Sequence, residues 1–196
     1  MAVTPSTMLE IGTFAPDFAL VDIQGRIIRR DDVRDKNGIL ILFICNHCPF
    51  VKHINAALVR FAQDYMPRGL GMAAISSNDA QKYPDDGPDK MAQISRQFGY
   101  PFVYLYDETQ QIAQAYRAAC TPDFFLFDAQ LKLVYRGQFD ASRPGNSIPV
   151  TGNDLRTAAD ALIAGRPISS AQKPSIGCNI KWRPGNEPEY FASKSV

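Results

Sequence analysis

The chain of 196 residues has no long basic run, and its formal net charge is only +1. Nucleic acid and anionic membrane surfaces are therefore not expected partners. Its longest apolar run, Ile39 to Cys45, falls far short of the ~20 residues that a membrane-spanning helix needs. Its first residues, MAVTPSTMLEIGTFAPDF, contain neither a basic segment nor an apolar core. No secretory signal is expected there, and the expected compartment is the cytoplasm. The chain has a single tryptophan, two histidines and four cysteines. A chain of this length with 45% hydrophobic residues can bury a core without disulfide staples. In a reducing compartment the cysteines are then candidates for catalysis, metal binding or plain burial.

What is present reads as an alternating α/β chain. Residues 17–29, DFALVDIQGRIIR, alternate around Gln24-Gly25 as a hairpin does. After Asn37-Gly38, ILILFIC is uniformly apolar, the mark of a strand covered on both faces. Over 50–66 the period changes, and Phe50, Ile54, Leu58, Phe61 and Tyr65 share one helical face. LGMAAIS at 70–76 reads as a second buried strand. The polar segment 77–89 is long enough to carry function or to cover an edge. Pro88 suits the first turn of a helix striped by Met91, Ile94 and Phe98. FVYLY is a strand, and Asp107 with Gln110 resembles a capping box for a helix holding Ile112 and Tyr116. DFFLFD and LVYRGQF form a second hairpin about Ala129-Gln130, and 154–164 is a helix closed by Gly165 and Pro167. The expected core is one domain over 9–165. The extension 166–196 alternates Cys178, Ile180 and Trp182, which points to packing on that domain.

Cys45-Asn46-His47-Cys48 forms a C-x-x-C, followed by Pro49. Proline is favoured at the first helical position and keeps the residue before it out of the α region. Cys48 is thus expected at the N-cap of the long helix. A thiolate there meets unpaired N–H groups and the positive helix end, which draws its pKa from ~8.5 toward ~3.5–7.5. The alternative is an inert core thiol. Cys45 stands three residues earlier, and three extended residues span roughly 10 Å. A disulfide needs Cα atoms about 4.4–6.8 Å apart. A Cys45–Cys48 bond would therefore need a tight turn directly after the strand, and Cys45 reads as a supporting thiol.

These residues carry a resemblance to the thioredoxin-like superfamily, and within it to the peroxiredoxin-like branch, the alkyl hydroperoxide reductase/thiol-specific antioxidant group. It rests on Gly12-Thr13-Phe14-Ala15-Pro16-Asp17-Phe18, Cys48 at the helix start, Thr121-Pro122 before DFFLFD, and Arg136 in LVYRG. The resemblance implies a central mixed β-sheet flanked by helices, with an N-terminal hairpin and a C-terminal extension. It makes Cys48 the nucleophile and Arg136 the residue that steadies thiolate and peroxide. It makes Thr121-Pro122 a cis-proline loop whose Thr121 backbone can pair with a substrate chain. Aligned on thioredoxin, the second cysteine position falls on Val51. Aligned on peroxiredoxins, Cys45 stands in place of the usual threonine or serine, and Ile41 in place of the usual proline. A thiol is a weaker donor than a hydroxyl. Cys178, on the tail, is a natural resolving thiol for an oxidised Cys48 if that tail moves; Cys120 and Cys45 are the other candidates.

The main expectation is a thiol-dependent peroxide reductase working through Cys48 without metal or organic cofactor. It would act with an external thiol reductant such as a thioredoxin, with a homodimer one arrangement open to it. The first alternative is a protein disulfide reductase or isomerase. The second is a zinc- or copper-binding protein that uses Cys45, His47, Cys48 and His53. His47 would otherwise tune the neighbouring thiol or face solvent, and Lys52 would add a positive field or do nothing.

Overall fold

A computed structural model of the protein describes residues 3–192. Strand β1 (Val3–Pro5) opens the chain, and the hairpin β2 (Ala19–Asp22) and β3 (Ile27–Arg29) follows. A single helical turn, α1 (Arg30–Val33), leads to β4 (Ile39–Phe43) and then to the long helix α2 (Pro49–Tyr65). Strand β5 (Gly71–Ser76), helix α3 (Pro88–Phe98), strand β6 (Val103–Tyr106) and short helix α4 (Gln111–Ala115) complete the alternating part. Two-residue β7 (Cys120–Thr121) precedes the hairpin β8 (Asp123–Phe127) and β9 (Leu133–Gly137). Helix α5 (Asn153–Ile163), strand β10 (Ile176–Asn179) and helix α6 (Glu189–Ala192) close the described chain.

Seven strands form one mixed sheet in the order β3-β2-β6-β5-β4-β8-β9. β4 pairs parallel with β5, and β5 with β6, while β8 runs antiparallel to β4. The apolar run ILILF occupies the middle of this sheet, and each of its residues is buried. Its alternation feeds two cores. Leu40 and Leu42 face α2, where they meet Ile54, Leu58, Phe61, Phe124 and Leu126. Ile39, Ile41 and Phe43 face the other way, toward Tyr116, Phe125, Phe127 and Trp182. Each such side chain contributes about 1.5–3 kcal/mol on burial, and a strand with no polar face has no other stable place.

A second, three-stranded sheet has the order β1-β10-β7. It brings the segment after residue 166 back across the domain. β10 lies between β1 and β7, antiparallel to both. Gly177 permits this close approach, since a Cβ there would stand 2.0 Å from the Thr121 carbonyl oxygen.

Near Asp107 the expected capping box is not formed. Helix α4 starts at Gln111, and Gln110 sits in the left-handed region with φ 65°. Asp107 instead accepts directly from the Ala113 and Ile112 amides at 2.9 and 3.4 Å. The Gln110 side chain is drawn inward, donating to the Ser77 and Lys181 carbonyls at 2.7 and 2.9 Å. Long-range carbonyls that needed a donor outweigh the local pattern.

Candidate active site

The site grows from the end of β4. The strand stops at Phe43, and the chain bends at Asn46 and His47 before entering α2. Cys48 is the N-cap, with φ −65° and ψ 122°, and Pro49 holds the first helical position. Its side chain makes no capping bond, so the thiol is left for other partners. Because of the bend, the chain from Cys45 to Cys48 is not extended, and the separation expected from an extended chain does not arise. The two thiols converge on Thr121, Cys45 Sγ 3.4 Å from its hydroxyl and Cys48 Sγ 3.1 Å from its carbonyl oxygen.

A buried carboxylate makes that bend. Asp86 Oδ1 accepts from the backbone amides of Asn46 and His47 at 2.8 and 3.1 Å. Asp86 Oδ2 accepts from Asn78 at 2.8 Å and faces His47 Nδ1 at 2.5 Å. The Asn46 side chain donates to the Asp85 carbonyl and accepts from the Tyr104 hydroxyl, at 2.8 and 3.1 Å. Tyr83 stacks on the His47 ring with centroids 5.6 Å apart. The 77–89 segment therefore clamps the turn that carries the two cysteines. Burial pushes the Asp86 carboxyl up, but hydrogen bonds from His47 and Asn78 outweigh it and hold it below the usual carboxylate value.

Thr121 is the common neighbour of three thiols. Its carbonyl oxygen lies 3.1 Å from Cys48 Sγ. Its hydroxyl is 3.4 Å from Cys45 Sγ. Across the β7–β10 pair it stands opposite Cys178, whose pKa is raised chiefly by Cys48. The Thr121-Pro122 peptide bond is cis, as the resemblance implied. Cys45, Cys48 and Cys178 are 1%, 0% and 2% exposed, and all are thiols rather than a disulfide.

This arrangement sorts the protons. Hydrogen bonds from Cys178 and then Cys45 draw the Cys48 pKa well below the ordinary thiol value, against the opposing effect of burial. Donation to Cys48 raises Cys178 and Cys45 in turn, and burial adds to both. The central sulfur carries the charge and the outer two hold the protons. Two neighbouring thiols, rather than the helix end alone, account for the low value.

Other residues singled out from the sequence lie apart. Arg136 is not brought to the thiol. On β9 it pairs with Phe125, which faces the core away from α2. Its guanidinium donates to the Leu9 carbonyl and to Gln172 Oε1, at 2.8 and 2.7 Å. Cys178 arrives on a paired strand rather than a moving tail. The Cys120 thiol donates to the Pro122 carbonyl at 3.6 Å. The Thr121 backbone, expected to be open to a substrate, is already paired with β10. His53 turns to Ser142 Oγ at 2.7 Å, so the four-residue metal set is not assembled. Donor atoms of Cys45, His47 and Asp86 do lie within 4.8 Å of one another, but Asp86 already accepts from two backbone amides, Asn78 and His47. Asp86, Asn46, Asn78, Tyr83 and Tyr104 were missed, because nothing local in a polar loop or a strand signals which group turns inward.

The model of the AhpC/TSA family matches residues 11–136. Over 130 residues the chain is 28% identical to the thiol-disulfide oxidoreductase ResA of Geobacillus thermodenitrificans, covering 66% of this chain and 70% of that protein. A crystal structure of a conserved protein from Geobacillus kaustophilus is 56% identical, with TM-score 0.93 over 94% of this chain and 98% of the other. The thioredoxin domain of a thiol-disulfide oxidoreductase from Bacteroides vulgatus is 15% identical, with TM-score 0.58 over 76% and 96% of the two chains. That likeness is one of fold, and the chain has the thioredoxin-like fold.

Proposed function

The chain belongs to the AhpC/TSA family, and from that premise we propose that it is a thiol–disulfide oxidoreductase with Cys48 as nucleophile. The observation that carries this reading is the convergence of Cys45, Cys48 and Cys178 on Thr121, where the Cys48 pKa is drawn well below the ordinary thiol value. A thiolate, not a thiol, attacks a disulfide, and a thiol beside it is what releases the mixed disulfide that results. The Cys48 thiolate attacks one sulfur of a substrate disulfide and expels the other as a thiolate. Cys178 then attacks Cys48 Sγ, forming Cys48–Cys178 and releasing the second substrate sulfur, which takes the proton Cys178 gives up. An external dithiol, such as a thioredoxin, restores the pair.

The main expectation from the sequence, peroxide reduction, leans on Arg136 beside the thiol and on a hydroxyl at position 45. Arg136 is bound to Leu9 and Gln172, and position 45 is a cysteine. The disulfide reading therefore has the better support. Cys48 is 0% exposed, so reaction requires β10 to part from β7.

The reduced protein is offered a probe protein disulfide and, separately, hydrogen peroxide, each with dithiothreitol as donor. We expect disulfide reduction that is lost in Cys48→Ser, with a mixed disulfide trapped on Cys48 when Cys45 and Cys178 are both replaced by serine. Peroxide consumption without disulfide reduction would replace this reading with the peroxidase one.

A further inference from the structure

Cys48 has a thiol on each side, and the two come from different parts of the chain. Cys45 stands on one side, 3.4 Å from the Thr121 hydroxyl. Cys178 stands on the other, in register with Thr121. The resolving step needs Cys178 alone, so the contact between Cys45 and Cys48 has no part in it. The surroundings of the outer thiols also differ. Cys178 lies opposite Val3 of β1, on the inner strand of its small sheet. Cys45 Sγ lies 4.0 Å from His47 Nδ1, and the His47 side chain is 19% exposed. Asp86 and Tyr83 fix that ring in place. Both outer thiols are themselves buried, but Cys45 has the partly exposed His47 ring beside it, whereas Cys178 is flanked by a strand on each side.

We propose that Cys45, Cys48 and Cys178 form a three-thiol relay, in which a disulfide closed between Cys48 and Cys178 passes to Cys45–Cys48 and is reduced there, from the His47 side, by an external dithiol. The proposal rests on the thiol–disulfide reading above. In the transfer step Cys45 gives up its proton and attacks Cys48 Sγ. The Cys45–Cys48 bond forms as the Cys48–Cys178 bond breaks, and Cys178 leaves and takes up a proton. Nothing is oxidised or reduced overall. The external dithiol then attacks Cys45 Sγ and expels Cys48 as its thiolate. The second thiol of the reductant closes on its own mixed-disulfide sulfur and releases Cys45 as a thiol. The dithiol becomes a disulfide, one of its protons stays on Cys45, and the other goes to solvent.

The electrostatics favour this order. The hydrogen bond each outer thiol donates to the Cys48 thiolate is the main reason it stays protonated. When Cys48 is bonded, that hold lapses on both sides, and exchange runs between two similar buried thiols. In the last step the leaving group is Cys48, the sulfur that best carries charge, and a low-pKa thiol leaves faster.

The test is a time-resolved disulfide map. Reduced wild type, Cys45→Ser, Cys45→Ala and Cys178→Ser are mixed with hydroxyethyl disulfide, quenched in acid, alkylated and read by peptide mass. Wild type should show Cys48–Cys178 first and Cys45–Cys48 later, and Cys178→Ser should show Cys45–Cys48. Both Cys45 variants should stop at Cys48–Cys178, and dithiothreitol should then reduce them about tenfold more slowly than wild type. Circular dichroism confirms that each variant is folded, and the paired Cys45 variants separate loss of the thiol from addition of a buried hydroxyl. Absence of Cys45–Cys48 from both wild type and Cys178→Ser overturns the relay, as does reduction of the Cys45 variants at the wild-type rate. If Cys48 takes no substituent in any of the proteins, the thiol–disulfide reading itself falls and the relay falls with it.

Discussion

Cys178 stands directly opposite Thr121 in the β7–β10 pair, and the carbonyl oxygen of the same Thr121 lies 3.1 Å from Cys48 Sγ. One threonine thereby sets the spacing between a residue from the start of the long helix and one from near the end of the chain. On the proposed chemistry, reactivity at Cys48 would follow whether β10 is docked.

Gly177 is the place to disturb that docking. A valine there drives carbon into the Thr121 carbonyl, where even a Cβ would stand at 2.0 Å. Overpacking of this kind costs about 1–3 kcal/mol. Gly177→Val should raise the rate of Cys48 alkylation by iodoacetamide about tenfold, since a cost of 1.4 kcal/mol on the closed form shifts opening by that factor. Unchanged alkylation with a lowered melting temperature would mean that access does not pass under β10.

The thiols give stability a defined pH dependence. Cys48 has its pKa lowered in the folded protein. Between that folded value and the unfolded thiol value of ~8.5, the unfolded chain binds the extra proton, so stability rises with pH. Cys45 and Cys178 have theirs raised. Above ~8.5 the unfolded chain loses protons that the folded one keeps, so stability falls. Urea titrations of the reduced protein should therefore peak near ~8.5 in this component. Cys48→Ser should remove the rising limb relative to wild type; an unchanged difference across pH would show that Cys48 is not the charged sulfur.

Asp86→Asn should loosen the turn before α2. An amide offers one acceptor oxygen where the carboxylate takes Asn46 N and His47 N on one oxygen and Asn78 with His47 Nδ1 on the other. Leaving such buried groups mismatched costs about 1–3 kcal/mol each. The Asp86 pKa is lowered on folding, so its contribution is present above the usual carboxylate value and is lost as pH falls through its folded value. Urea denaturation at neutral pH should show the loss, and the gap between wild type and variant should narrow in acid.

Arg136→Gln should separate the arginine from the chemistry. Its guanidinium ties Leu9 to Gln172, and losing charged hydrogen bonds of this kind costs about 1–2 kcal/mol. Stability should drop by that amount while the ultraviolet thiolate titration of Cys48 stays where it was. A titration moved toward the ordinary thiol value would return Arg136 to the site.

The sheet and its helices were legible because their signals are local. ILILF, the stripe of α2 and the Pro49 rule each need only a few neighbours, and together they placed Cys48 at the helix N-cap. The cis Thr121-Pro122 bond was legible only through resemblance. The site's inner shape was not. Whether Cys45 reaches Cys48 depends on a bend made by Asp86, 40 residues away along the chain, and no local pattern distinguishes Asp86 from its exposed neighbour Asp85. Arg136 failed for a related reason. Strand alternation fixes which face it takes, but only the β8 register shows that Phe125, and not Cys48, shares that face.

The docking of β10 has a consequence for biosynthesis. Cys45, Cys48 and Thr121 leave the ribosome long before Cys178, which lies 57 residues beyond Thr121. Until β10 emerges, the growing chain carries the helix-capping cysteine without the strand that covers it. Synthesis of β10 thus both completes the three-thiol cluster and covers it, and a chain truncated before residue 178 exposes an early thiol that the folded chain keeps under cover.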